Sequence, residues 1–323
     1  METQRLEAGD EVRVIAPSDG WRNRRTEAYA RAKAHLESLG LVVTYGKHIQ
    51  SEGRFRTGSV ADRLADFHDA YRDPKVRLII ALHGGWSANA LLRRIDWELV
   101  KANPKPLMGF SDTTVLVNAL YAQTGTVNYL GPTFSSLGFR HMFNYTFDNF
   151  RSVVVGTASL ELRRSREWQR TRGGPLAKTR PWKVLQTGSA EGVLIGGNMG
   201  TFYLLQGTPY QPKFDQPFLL LAEDDDEPGK YSAREFDRRL ESLLQLSGVR
   251  ENIRGLVIGR FQPSSRVTMP DVAYIVAKME LRGIPVIADV DFGHTMPLLT
   301  LPIGGVAWLE AEKSRASLNL VQW

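Results

Sequence analysis

The strongest constraint on this chain is a regular alternation of apolar runs and helical segments over residues 11–130. The runs EVRVIAP, LVVTYG, KVRLIIALHGG and KPLMGF are each followed by residues with helical spacing or by a turn into them. Near-continuous apolar strands that alternate with helices form parallel sheets covered on both faces, so the pattern predicts an α/β domain. Functional groups in such sheets lie just beyond the carboxyl ends of the strands.

The length of 323 residues predicts two domains. We expect an N-terminal parallel-sheet domain over residues 1–156, a basic connector over 157–187, and a smaller C-terminal domain over 188–323. Apolar runs such as QPFLLLAED, IRGLVIGRF and GIPVIADVDFG predict that the last part is also α/β, or mixed β. A concave site is expected at the seam between the two domains.

Composition excludes several classes of site. The chain has no cysteine, which removes disulfides, thiolate metal sites and cysteine nucleophiles. No run approaches about 20 uninterrupted apolar residues, and METQRLEAGDEVRV lacks an apolar export signal, so we expect a cytoplasmic protein with no membrane partner. P-loop and H-E-x-x-H motifs are absent, and neither GGWSANA nor GGNMG has the spacing of a dinucleotide fingerprint.

Much of the net charge of +6 comes from RRSREWQRTRGGPLAKTRPWK, residues 163–183. Eight Arg and Lys residues stand there against Glu167 alone. The stretch is interpreted as a solvated connector, as a lid whose tryptophan covers a substrate, or as a surface that binds a nucleic-acid backbone. We favour the connector and expect no nucleic-acid partner.

Ser111 stands at the junction between an apolar run and a helical segment, in PLMGFSDTTVL. A Ser-Asp-Thr cluster can cap a helix, because its side-chain oxygens accept hydrogen bonds from the first amides. It can also hold a nucleophile on a tight strand-to-helix turn, beside amides that bind an oxyanion. The local sequence is consistent with both roles.

Glu223 and His294 also follow apolar strands, in FLLLAED and in IADVDFGH. The order Ser111, Glu223, His294 is that of some nucleophile–acid–base triads. Glu223 also opens the acidic run EDDDE, which we interpret first as a solvated turn. The run could also hold a hard cation, but it lacks the ligand periodicity of a calcium loop. Gly84 and Gly85, after KVRLIIALH, can supply backbone amides that complete an oxyanion hole with Asp112.

Five motifs occur in order along the chain: HGGWSANALLRRID, PKPLMGFSDTT, GVLIGGNMGTF, LLLAED and GHTMPLLTLPIG. Together, from about Arg13 to Gly304, they resemble the LD-carboxypeptidase family of serine peptidases. That family includes murein tetrapeptide LD-carboxypeptidases and microcin C self-immunity peptidases. The resemblance implies an N-terminal Rossmann-like domain, a C-terminal domain and an active site between them.

The resemblance also implies roles for individual residues. Ser111 corresponds to the family nucleophile, Glu223 to the glutamate and His294 to the histidine of the triad. The amides of Gly85 and Asp112 correspond to the oxyanion hole. The family implies no metal or cofactor, and commonly a homodimer.

The motifs GGWSANALL and HTMPLLTLPIG look more like the immunity branch, which cleaves an amide between an amino acid and a nucleotide-like group. That branch implies an aromatic side chain on the connector stacked on the base, here Trp168 or Trp182, with Trp86 as a further substrate contact. The alternative is a murein tetrapeptide carboxypeptidase that releases D-alanine, which the Glu-Pro at the end of the acidic run favours.

Polar substrate contacts are also expected from the resemblance. Asn198, in the GGN motif, is interpreted either as a hydrogen-bonding partner of the substrate or as a residue that shapes the turn. Immunity enzymes tend to carry a lysine after the catalytic glutamate, and here Lys230 or Arg234 is the candidate for that position.

Overall fold

The computed structural model describes residues 5–140, 143–156, 159–169, 174–224 and 232–323. Within those ranges the strands are β1 (Glu11–Ile15), β2 (Val42–Tyr45), β3 (Val76–Ala81), β4 (Leu107–Gly109), β5 (Asn128–Leu130), β6 (Leu160–Leu162), β7 (Glu167–Gln169), β8 (Leu176–Lys178), β9 (Lys183–Gln186), β10 (Gly188–Asn198), β11 (Phe218–Glu223), β12 (Ile253–Gly259), β13 (Val286–Val290), β14 (Leu301–Ile303), β15 (Val306–Glu312) and β16 (Arg315–Gln322). The α-helices are α1 (Thr26–Glu37), α2 (Val60–Arg72), α3 (Trp97–Ala102), α4 (Thr114–Thr124), α5 (Phe134–Leu137), α6 (Phe143–Val154), α7 (Met199–Phe202), α8 (Ser232–Leu244), α9 (Val249–Asn252) and α10 (Met269–Lys278).

The first sheet contains, among the described residues, six strands in the order β14-β5-β4-β3-β1-β2. Strands β1 to β5 run parallel, whereas β14 is antiparallel to β5. All but one of the residues of β3 are buried, because helices cover both faces of a parallel sheet. The alternation of apolar runs and helices therefore produces the parallel sheet that it predicts.

The second sheet contains eight strands in the described part of the chain, in the order β6-β16-β15-β10-β11-β12-β13-β9. Its centre, β10 to β13, is parallel, and its outer strands are antiparallel. Every residue of β11, FLLLAE, is buried. The expected fold class, a parallel-sheet α/β domain with a second mixed α/β domain, is confirmed.

Helix α4 lies between the two sheets and connects them. Its first seven residues are buried, as expected for a helix that is apolar nearly all round. The side chain of Asn118 makes two hydrogen bonds with Gly196. Its Nδ2 donates to the Gly196 carbonyl at 2.9 Å, and its Oδ1 accepts the Gly196 N–H at 3.0 Å. Asn198 N–H donates to the Thr114 hydroxyl at 3.3 Å. The end of β10 is thus held against the helix that follows Ser111.

The stretch 157–187, expected to be a connector, contains strands where it is described. Strands β6 and β9 lie at opposite edges of the second sheet, and β7 and β8 form a separate hairpin. In the other direction, β14 from the last part of the chain completes the first sheet. The domain boundaries at 156 and 188 stay predictions. The connector contributes β6 and β9 to the second sheet, and the last part of the chain contributes β14 to the first.

A buried lysine gives a prediction about stability and pH. Lys105 donates hydrogen bonds to the carbonyls of Ala70 at 3.1 Å and Asp73 at 2.7 Å, and burial lowers its pKa from 10.5 to about 8. Between those values the unfolded chain binds more protons than the folded one, so the free energy of unfolding contributed by Lys105 rises with pH. Urea unfolding at about pH 7 and about pH 10 should show a smaller rise for Lys105→Met than for the wild type.

The control for that experiment is Lys101→Met, which changes an exposed lysine on α3. It should keep the wild-type rise. An equal rise in Lys105→Met and the wild type would contradict the buried-lysine account.

Candidate active site

Ser111 lies on a sharp turn between β4 and α4. Its φ is 60°, a left-handed conformation that is uncommon for a residue with a side chain. A short 3-10 turn, Ser111–Thr113, leads directly into the helix. Gly109 permits this turn, because a Cβ there would lie 2.8 Å from the Thr113 side chain. Strained strand-to-helix turns of this kind present a serine hydroxyl at the edge of a sheet.

Ser111, His294 and Glu223 come together at the carboxyl ends of β4, β13 and β11. The His294 Nε2 lies 2.9 Å from Ser111 Oγ, and its Nδ1 lies 3.1 Å from Glu223 Oε2. A carboxylate only accepts hydrogen bonds, so the proton is assigned to Nδ1, and the serine hydroxyl donates to Nε2. A hydroxyl, an imidazole and a carboxylate in this line can activate the hydroxyl as a nucleophile.

Glu223 is fixed by its surroundings. It is 2 % exposed, and its Oε1 accepts a hydrogen bond from Asn198 Nδ2 at 3.1 Å. Glycines at 259 and 293 make room for it, since a Cβ on Gly259 would lie 2.9 Å from the Glu223 Cβ. The carboxylate therefore has one oxygen for Asn198 and the other for His294.

Asn198 was expected as a substrate contact or as a residue that shapes the turn. Its Oδ1 accepts the Thr201 N–H at 2.9 Å and caps α7, while its amide nitrogen is bound to Glu223. The residue is 4 % exposed. In this structure Asn198 therefore orients the carboxylate and shapes the turn by capping a helix, and its role as a substrate contact stays a prediction.

The glycine pair after β3 approaches the Ser111 turn closely. A Cβ on Gly84 would lie 2.9 Å from the Ser111 Cβ and 3.6 Å from the Asp112 nitrogen. A Cβ on Gly85 would lie 2.5 Å from Asp19 Oδ1, so a side chain does not fit there either. The amides expected to form an oxyanion hole, those of Gly85 and Asp112, thus belong to two turns in contact.

The Asp112 side chain holds these two turns together. Its carboxylate accepts the N–H groups of Ser87 at 2.9 Å and Ala88 at 2.8 Å, together with the Ser18 hydroxyl. Arg63 donates to the Ser87 carbonyl at 3.1 Å from beneath the same loop. Burial raises the pKa of Asp112 above its ordinary value, and the three hydrogen bonds oppose that rise.

The close approach of Gly84 gives a steric prediction. Gly84→Ala should displace Ser111 and lower kcat by about 10- to 100-fold, because small errors in position near reacting atoms are costly. Steady-state kinetics on a cleaved substrate, with circular dichroism to verify folding, measure the effect. Gly9→Ala is the control: a Cβ there meets nothing within 4 Å, and although alanine is strained at its φ of 96°, Gly9 precedes β1 at the far end from Ser111, so kcat should be unchanged. Wild-type kcat in Gly84→Ala would contradict the geometry.

The tryptophans differ in their surroundings. Trp182 is 7 % exposed, and its Nε1 donates to the buried Asp291 at 3.0 Å. It is a core residue and presents no free ring face to a substrate, which corrects the expectation for it. Trp168, on β7, is half-buried, with the Arg260 guanidinium 5.2 Å from its ring centre. Trp86, directly after Gly85, is 77 % exposed.

Asp291 and Arg260 form a buried pair beside the site that sequence reasoning missed. Arg260 Nη2 lies 2.9 Å from Asp291 Oδ1, and Asp291 also accepts hydrogen bonds from the Ser165 hydroxyl and amide. Asp291 is three residues before His294, so the pair anchors the connector to the loop that carries the histidine. The signal was an aspartate inside the apolar run VIADVDFG, where a charge needs a partner.

The acidic run after Glu223 is described only in part. Asp224 is fully buried and pairs with Arg239 at 2.7 Å, so it is not a solvated turn residue. Lys230 lies outside the described residues, and Arg234 is exposed in the first turn of α8. Within the described ranges, no group of three or more His, Cys, Asp or Glu is arranged to hold a metal ion, and no helix is long and apolar enough to cross a membrane.

Two family models match this chain on either side of the connector. The LD-carboxypeptidase N-terminal domain matches residues 12–131, and the LD-carboxypeptidase C-terminal domain matches residues 191–309. Ser111 lies within the N-terminal match, and Glu223 and His294 lie within the C-terminal match. The chain belongs to the LD-carboxypeptidase family and is a serine peptidase.

Individual relatives cover nearly the whole chain. A putative carboxypeptidase, YocD of Bacillus subtilis, is 39% identical over 96% of both chains. A probable murein peptide carboxypeptidase of the same species is 28% identical over 97% of this chain and 93% of its own. The microcin C7 self-immunity protein MccF of Escherichia coli is 27% identical over 97% of this chain and 94% of its own.

Solved structures have the same fold. An MccF-like protein from Bacillus anthracis superposes with a TM-score of 0.95, at 37% identity and full coverage of both chains. MccF in complex with glutamyl sulfamoyl guanosine superposes with a TM-score of 0.87, at 22% identity over 100% of this chain and 98% of that one. The likeness to the second structure concerns the fold alone.

Proposed function

We propose that Ser111, His294 and Glu223 form the catalytic triad of an amide hydrolase, with the amides of Gly85 and Asp112 as its oxyanion hole. The observation that carries the proposal is the unbroken hydrogen-bonded line from the serine hydroxyl through His294 to a buried carboxylate, with separations of 2.9 and 3.1 Å. The strained Ser111 backbone supports it, because such strain is found where a nucleophile is presented.

The reaction follows from these positions. Ser111 Oγ attacks the amide carbonyl carbon while His294 Nε2 takes its proton and Glu223 stabilises the imidazolium. The two amides bind the oxyanion of the tetrahedral intermediate. His294 then gives the proton to the departing nitrogen, which leaves an acyl-enzyme on Ser111. Water, deprotonated by His294, then attacks this ester. The carboxylic acid product leaves, and the Ser111 hydroxyl is regenerated.

We propose that the bond cleaved joins an amino-acid carbonyl to a nucleotide-like group, as in an aminoacyl nucleotide. The 37% identity to an MccF-like protein and the 27% identity to MccF, a protein whose structure has been solved with glutamyl sulfamoyl guanosine, support this substrate. Trp86 offers an exposed ring beside Gly85, and Trp168 a half-buried one, for stacking on a base. A homodimer in the cytoplasm, without metal or cofactor, stays a prediction.

A paired hydrolysis assay read by mass spectrometry tests the substrate. One substrate is an aminoacyl-sulfamoyl adenosine, and the other is a murein tetrapeptide that ends in D-alanine. Release of the free amino acid from the adenosine compound is the expected result. Release of D-alanine from the tetrapeptide alone would overturn the nucleotide proposal in favour of the murein alternative, which the 28% identical murein relative represents.

A further inference from the structure

A cavity lined by arginines lies between the beginning of α6 and the β7–β8 hairpin. Its volume is about 490 Å³. The lining residues used below are Arg140, Tyr145, Arg163, Arg164, Arg166 and Glu167. The charge of the basic stretch is therefore not spread evenly over a solvated connector, since three of its arginines meet a fourth, Arg140, around one concave space.

We propose that this cavity binds a small anion with several negative charges, of the phosphate or diphosphate class. Four arginines and one acidic residue, Glu167, are among the described lining residues, so the lining carries a net positive charge. Arginine presents a planar fork of donors that matches phosphate oxygens in pairs, so several arginines around one space favour phosphate over a single carboxylate. The volume is within the range of small-molecule sites.

These arginines already form ion pairs within the protein, but those pairs are weak and compete little with a bound anion. Arg140 lies 3.5 Å from Glu27, and Arg163 lies 3.8 Å from Glu161. These residues are largely exposed, and exposed pairs of this kind contribute little free energy. Arg164 donates to Thr179 Oγ1 at 3.2 Å. A doubly or triply charged ligand can therefore recruit Arg140 and Arg163 at little cost.

The lining of the cavity argues against nucleic acid. Strand binding uses a groove that follows the backbone, with aromatic faces on which bases stack. Tyr145 is the aromatic side chain among the described lining residues, and its hydroxyl is engaged with the Arg163 carbonyl. The cavity is thus suited to an anionic group and not to a base.

The two elements on either side of the cavity, α6 and the β7–β8 hairpin, contact the segment that follows His294. Gln169 of β7 donates its N–H to the Met296 carbonyl at 2.9 Å, and Leu298 donates its N–H to the Thr146 hydroxyl of α6 at 3.0 Å. The elements that form the cavity are therefore hydrogen-bonded to the loop that carries His294. The occupant of the cavity is either the distal anionic group of a bound substrate or a separate anion.

Isothermal titration with inorganic pyrophosphate at low salt tests the proposal. Saturable binding with one ligand per chain is expected, weakening as salt is added because exposed charges are screened. The double variant Arg163→Ala/Arg166→Ala and the single variant Arg140→Ala should each raise Kd by about tenfold or more. Thermal melts verify that these variants are folded, and the exposed Arg238→Ala is the control that should bind as the wild type.

Absence of saturable binding, or equal weakening in Arg238→Ala, would overturn the proposal. The same titration in Ser111→Ala holding uncleaved substrate distinguishes the two sources. Competition identifies the anion as part of the substrate, and unchanged binding identifies a separate ligand. Because the titration measures no turnover, a failure of the proposed hydrolysis would leave its result intact.

Discussion

Ser111→Ala should lower kcat on the cleaved substrate by on the order of 10⁴- to 10⁶-fold, because members of a triad act as a unit. The hydroxyl that lies 2.9 Å from His294 Nε2 is lost, and no acyl-enzyme can form. Folding should be unaffected, since a smaller side chain fits the same turn. Product formation by mass spectrometry over long incubations measures the loss.

Ser38→Ala provides the control for this substitution. Ser38 is exposed at the end of α1 and should tolerate alanine with full activity. Activity of Ser111→Ala within a few-fold of the wild type would refute the proposed nucleophile, whichever substrate is cleaved. Substrate binding to the inactive variant, measured by calorimetry, should persist, because Ser111 acts on the transition state more than on the ground state.

The second large effect is expected from Glu223→Gln, with kcat reduced by about 10⁴-fold. The amide keeps the size of the carboxylate but loses the charge that stabilises the imidazolium. It also no longer fixes the proton on His294 Nδ1, 3.1 Å away. The pH dependence of kcat/KM, together with kcat at the optimum, measures the effect.

The control is Glu98→Gln, on the exposed side of α3. It makes the same chemical change away from the site and should leave kcat unchanged. A Glu223→Gln enzyme that retained a tenth or more of the wild-type kcat would show that the carboxylate does not act on the histidine. A Tm within a few degrees of the wild type is needed for the comparison, because Glu223 is buried and bound to Asn198.

The parallel sheets could be predicted from the sequence because their signal is local. Runs such as KVRLIIA and FLLLAE are apolar without alternation, which is the pattern of strands buried on both faces. The same pattern predicted that Ser111, Glu223 and His294 lie at the carboxyl ends of strands. What the pattern could not supply was their meeting point, since Ser111 and His294 are 183 residues apart and contact depends on how two sheets join.

Other features could not be read from the sequence for physical reasons. Trp182 was expected to stack on a base because the resemblance implies an aromatic side chain on the connector, yet its Nε1 is bound to the buried Asp291, 109 residues further along. Asn198 was a polar residue in a glycine-rich turn, and only the position of Glu223 shows where its amide is used. The arginine cavity likewise needs Arg140, which lies outside the basic stretch.

The central claim is that Ser111 attacks a carbonyl carbon whose oxyanion lies against the amides of Gly85 and Asp112. A crystal structure with a boronic acid analogue of the acyl residue tests it most directly, because boron forms a tetrahedral adduct with an activated serine. The account predicts a bond from Ser111 Oγ to boron, with one boronate oxygen about 3 Å from both amides. A boronate bound to another residue, or one whose oxygen points away from these amides, would contradict it.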